Sequence, residues 1–123
     1  MVKIINLAAH PIRVETSQGV HEYPSSGRVL KLDTLDETVD LIGDEIPIIR
    51  KVFFEPVASE MPPIVEGVYY IVPNQVMSVI RRPDFISPDT KISHGAKRMD
   101  NGMVSSVRRF RVFDDLRREV EFG

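Results

Sequence analysis

Cysteine and tryptophan are both absent from this chain of 123 residues. The first absence excludes disulfides, a thiolate nucleophile and cysteine-ligated zinc, and it agrees with a reducing compartment. No apolar run approaches the ~18–20 residues that a membrane-spanning helix requires. The opening MVKIINL is too short an apolar stretch for a secretory signal and has no small-residue cleavage site. The expectation is a soluble, cytoplasmic protein with no membrane partner. A charge excess is lacking too. With 16 basic and 18 acidic residues the formal net charge is −2, which exerts no global pull on nucleic acid or acidic lipid.

The recurrent chemical motifs are also missing. The seven glycines form neither GxGxxG nor a phosphate loop, and no GxSxG marks a hydrolase serine. HEYPS starts like a zinc-protease helix, but Ser25 stands where the second histidine belongs. The histidines at 10, 21 and 94 lie far apart in sequence. No cofactor and no metal is expected.

What is present suits one domain spanning residues 1–123, long enough to bury a core. VKIINL reads as a strand, and PIRVE, TSQG and VHEY as a hairpin. RVLKL returns as a further strand with Leu30 and Leu32 facing one way. Residues 34–42 fit two descriptions: a helix opened by a Thr34/Glu37 capping box, or a hairpin turning at Gly43-Asp44. The hairpin is slightly favoured. IPIIRKVFF has apolar residues on both faces, which predicts a central, covered strand. GVYYIV is the most apolar strand, with Tyr69 and Tyr70 divided between surface and core. A short helix is expected over 74–82, stopped by Pro83. Asn101-Gly102 predicts a type I′ hairpin near the end, and residues 114–123 a frayed or helical tail. The sum is an α+β domain, mainly an antiparallel sheet and in part curled towards a barrel.

Several polar residues stand out. Asn6 and His10 flank the exit of the first strand. They serve either to satisfy backbone groups at a corner or to recognise a polar ligand, with His10 able to move a proton near neutrality. Arg82, Asp84 and Asp89 occupy the loop after the helix. There an Arg–Asp pair pins the loop, or a guanidinium is offered to phosphate or carboxylate. RRFRVF interleaves bases with aromatics, as single-strand binders do. On a strand, however, Arg109 and Arg111 share one face and Phe110 turns to the core, and the acidic remainder of the chain argues against nucleic acid.

INLAAHPIRV, YYIVPNQVMSVIRRPDFISPD and DNGMVSSVRRF together resemble a family of small uncharacterised proteins of phage, prophage and microbial genomes. Its members open with INLTPH, continue to a YIVS-like strand and helix followed by R-x-D, and close with a glycine-turn hairpin. The resemblance runs from about Ile4 to Phe110 and places Asn6, His10, Arg82, Asp84 and Asp89 on characteristic polar positions. Ala8-Ala9 replace Thr-Pro, removing one hydroxyl, and Pro73 replaces a serine cap. The resemblance implies a grouping and no reaction.

Three readings follow. The first is a non-enzymatic binding or accessory protein, phage- or virus-related, whose site of Asn6, His10, Arg82, Asp84 and Asp89 takes an anionic small molecule such as a nucleotide. The second is a small enzyme using His10 as acid or base with Asp84 or Asp89. The third is a structural or homo-oligomeric protein whose polar cluster only locks the fold.

Overall fold

The structure is a computed structural model that describes residues 2–56 and 60–113. It consists mostly of strands, with one short α-helix, and no barrel closes among the described residues. The tail expected over 114–123 lies outside them.

The central element is a four-stranded sheet in the order β1-β6-β7-β10. These strands are β1 (Lys3–Asn6), β6 (Val68–Ile71), β7 (Phe85–Pro88) and β10 (Phe110–Arg111). The fold's other strand pairings are antiparallel as expected, but within this sheet β1 pairs with β6 in parallel and β6 with β7 in parallel, and only β10 runs the other way. The helix α1 (Asn74–Val79) explains the parallel pairing of β6 and β7, since parallel neighbours need a crossover connection and α1 provides one. The helix is shorter than expected. It ends at an extended Ile80; Pro83 has no N–H to donate to the Val79 carbonyl and keeps Arg82 out of the helical region.

One core lies between α1 and this sheet. Leu7, Tyr70, Val72, Val76, Met77 and Phe85 are buried there together with Leu30 and Leu32. Tyr70 meets Phe85 edge-on at 6.2 Å, while Tyr69 stays on the surface, as strand alternation requires. Leu30 and Leu32 face the core as the sequence implies, yet RVLKL is not a strand. It runs beside the end of β1 and is held there by Leu30 N–H donating to the Leu7 carbonyl.

Three two-stranded antiparallel ribbons surround the sheet. β2 (Ile12–Thr16) pairs with β3 (Gly19–Tyr23), and its Val14 makes a parallel bridge to Val107. This contact builds a second, smaller core of Val14, Ala96 and Val107, with Tyr23 and Phe110 packed against it. β8 (Lys97–Arg98) pairs with β9 (Val104–Ser106). Between them Gly102 alone has positive φ, at 84°, so the expected type I′ turn, which needs two such residues, does not form. That turn is found elsewhere. β4 (Asp33–Ile42) and β5 (Ile46–Phe54) join through Gly43 (φ 62°) and Asp44 (φ 57°). Residues 34–42 are therefore strand.

The β4–β5 ribbon corrects a further expectation. β5 is not a covered central strand, for its residues through Lys51 are exposed on both faces. Only the base packs inward, where Phe53 meets the main core. Apolar residues on both faces of a strand signal burial only when other elements cover those faces, and among the described residues none does.

Candidate functional site

Asn6 sits at the end of β1 and is 2% exposed. Its amide nitrogen donates to the carbonyls of His10 and Tyr23, both at 2.9 Å, and its oxygen accepts from Ala8 N–H at 2.9 Å. The side chain thus closes the Leu7–His10 turn on itself and ties it to the end of β3. All of its polar capacity but one lone pair is spent on backbone. His10 contributes its carbonyl to this junction, whereas its ring is exposed and makes no hydrogen bond among the described residues. The ring borders a shallow groove of about 170 Å³, walled by Met103, Val104 and Ser105 and reaching Pro88 and Thr90.

Arg82 and Asp84 form a closed pair at the amino end of β7. Arg82 Nε and Nη2 donate to the two carboxylate oxygens at 2.9 and 2.6 Å, and Nη1 donates to the Pro62 carbonyl at 2.9 Å. The guanidinium lies over the Phe85 ring, 4.3 Å from its centroid. Both side chains are largely buried. This bidentate, stacked arrangement uses the fork geometry that distinguishes arginine from lysine, and it commits three of the five guanidinium donors to the fold.

Asp89 stands at the other end of β7, five residues on from Asp84, a span of ~16 Å along an extended chain. Arg82 and Asp84 therefore cannot share direct contacts with Asp89. Neither carboxylate is bonded to His10. Asp89 is 5% exposed and has other partners: Arg109 Nε at 2.6 Å, His94 Nδ1 at 2.7 Å and the Lys91 N–H at 3.2 Å. The Arg109 guanidinium holds its carboxyl well below the usual range. Burial opposes that shift, and the Lys91 N–H and His94 add to it.

The histidine that meets a carboxylate is thus His94, not His10. It closes a short 3-10 turn, Ile92–His94, that is capped by the left-handed Gly95. Its Nδ1 also lies 2.7 Å from Arg109 Nη2. One ring nitrogen cannot donate to Asp89 and accept from Arg109 at the same time. With the proton on Nδ1, His94 satisfies Asp89 and the Nη2 hydrogens of Arg109 are left for another acceptor.

Two residues along the same edge comes a second polar group. Arg111 faces Ser87 across the β7–β10 pair. Arg111 Nη2 (3.0 Å) and Ser87 Oγ (2.7 Å) both donate to Oδ1 of Asn74, the first residue of α1. The Arg111 guanidinium stacks on Phe113 at 5.2 Å. It pairs with no carboxylate among the described residues, and its buried Nε has no hydrogen-bond partner. Strand alternation places Arg109 and Arg111 on one face, ~7 Å apart. Together with His94 and Asn74 they line the carboxyl-terminal edge of the parallel strands, the position where open parallel sheets place ligands.

The sequence indicated that Arg109 and Arg111 share a face, but not that they meet Asp89 and Asn74. Those meetings depend on the register of β10 against β7, which periodicity within one strand does not encode. The remaining base of RRFRVF, Arg108, is exposed. Among the described residues no group of histidine and carboxylate side chains is arranged to hold a metal, and no helix is long and apolar enough to cross a membrane. No family model, curated protein or solved structure matches the chain significantly.

Proposed function

We propose that this is a small binding protein, not an enzyme, that takes an anionic small molecule at the Arg109–His94–Arg111 edge. The observation that carries the reading is Arg111. Among the described residues it is a partly buried guanidinium with no facing carboxylate and an orphaned Nε, beside a second arginine whose Nη2 is released when His94 is protonated at Nδ1. A desolvated positive charge without compensation is costly, and a phosphate or carboxylate relieves that cost through charge-assisted bonds. Asp89 orients Arg109 and His94 and does not itself contact the ligand. The site retains Asp89 from the sequence-based set. Asn6, Arg82 and Asp84 take the role of fold locks, and His10 borders the neighbouring groove. The resemblance to phage and prophage proteins fits an accessory role of this kind.

Thermal-shift and calorimetric titrations with inorganic phosphate, pyrophosphate and a nucleoside monophosphate test the reading, with chloride at equal ionic strength as the control. At least one of the three should raise Tm by several degrees, and Arg111→Gln should abolish the rise while remaining folded. Equal shifts in wild type and Arg111→Gln, or none with any of the three at millimolar concentration, would overturn it.

A further inference from the structure

Among the described residues the β4–β5 ribbon has no covering element beyond its base. An isolated two-stranded ribbon is marginally stable in water, and lasting order needs a third strand or a packed face. Its side chains divide into two faces. Phe53 and its cross-strand partner Thr34 belong to the face whose base meets the core. The opposite face carries the pairs Leu35/Val52, Glu37/Arg50 and Ile42/Ile46, with Asp40/Ile48 between the last two. Leu35, Ile42, Ile46, Ile48 and Phe54 on that face are each at least 40% exposed. Such a concentration of exposed apolar side chains marks an interaction surface.

Strand addition is discouraged at both edges of the ribbon. Pro47 has no N–H to donate, and the ladder of β4 is interrupted by an irregularity between Thr38 and Asp40; both are devices that discourage edge pairing. The face remains. Its charge is segregated by strand: β4 carries Asp33, Asp36, Glu37 and Asp40 with no base, and β5 carries Arg50 and Lys51 with no acid. We infer that the outward face of this arm binds the same face of a second copy of the chain, around a two-fold axis running along the arm.

That axis lays β4 of one copy over β5 of its partner. Each cross-strand pair then stacks on its own inverse. The Leu35 position meets the partner's Val52 position, Ile42 meets Ile46, and Glu37 meets Arg50 from both sides. An isologous contact requires this self-complementarity, and the Glu37–Arg50 pair, bonded at 2.9 Å within one arm, fixes the register. The alternative face-to-face arrangement, with the arms antiparallel, would put Glu37 on Glu37 and Arg50 on Arg50. A face ~30 Å long and about 10 Å wide offers ~300 Å² per copy, well under the ~800 Å² per partner of a standard stable interface. The dimer is therefore reversible, with micromolar or weaker dissociation. Asp33 and Asp40 leave the face with an acidic excess, so association strengthens as salt screens it.

Sedimentation equilibrium of the full chain from one to several hundred micromolar tests this. Wild type should pass from monomer to dimer, and Ile46→Lys should weaken association at least tenfold. Arg50→Glu should do the same and be restored to association by mixing with Glu37→Arg, because the altered charges then meet only across the interface. The substitutions lie away from both cores, and an unchanged Tm at low concentration verifies the fold of each variant. A wild type that stays monomeric throughout overturns the proposal, as does an Arg50→Glu variant whose association Glu37→Arg fails to restore.

Discussion

Asp89 and Arg109 face each other across the edge of the sheet and are joined twice. The Asp89 N–H donates to the Arg109 carbonyl at 3.0 Å, and Arg109 Nε donates back to the Asp89 carboxylate at 2.6 Å. Backbone and side chain thus lock the same two residues in one register, and His94 is recruited to the shared oxygen.

The lowered pKa of Asp89 makes this link a pH-dependent contribution to stability. Its folded value lies below its unfolded value, so the contribution is complete above the ordinary carboxylate value of ~3.9. It is lost progressively as pH falls below that value towards the folded one. Asp89→Asn should therefore lower Tm at pH 7, and the gap between variant and wild type should narrow from pH 4 to pH 2. Thermal unfolding across that range checks the sign. A gap that is constant with pH would mean that the carboxylate charge contributes nothing.

Asn6 and His10 should behave in opposite ways. Asn6→Ala removes three hydrogen bonds and leaves two carbonyls and one N–H at a junction of β1 and β3, at a cost of about 2–3 kcal/mol. His10→Ala keeps the carbonyl that matters and deletes only an exposed ring, so its effect should stay within ~0.5 kcal/mol. Chemical denaturation of the two variants separates them. Equal losses would contradict the assignment of the amide as the structural partner.

The Arg82–Asp84 pair should show strong coupling. Arg82→Met leaves a largely buried carboxylate unpaired and should cost about 3 kcal/mol, whereas adding Asp84→Leu removes the orphaned charge and recovers much of the loss. A double-mutant cycle by denaturant unfolding measures the interaction. Additive losses would show that the two residues act independently.

How much of this was legible in the sequence depended on how local each feature is. The Arg82–Asp84 pair is two residues apart, and its pinning role could be read directly. The division of Tyr69 and Tyr70, the single helix after the apolar strand and the Gly43-Asp44 turn are likewise local. Asp89 needed partners 5 and 20 residues away, which only the folding of β10 onto β7 supplies. The parallel pairing of Lys3 with Val68 leaves no periodic trace in either strand. The apolar pattern of β5 promised burial, because hydrophobicity reports that a surface wants a cover and not whether the same chain provides one.

Asp33 and Phe54 are directly paired at the base of the arm. Twenty residues therefore leave the body and return to it one strand spacing away, ~4.8 Å. For the rest of the chain the length of that excursion is a free variable. Cross-strand pairs can be removed from the tip, or further pairs inserted there, without moving either core, since the body senses only where the two ends emerge. The reach of the arm can change independently of the sheet that anchors it.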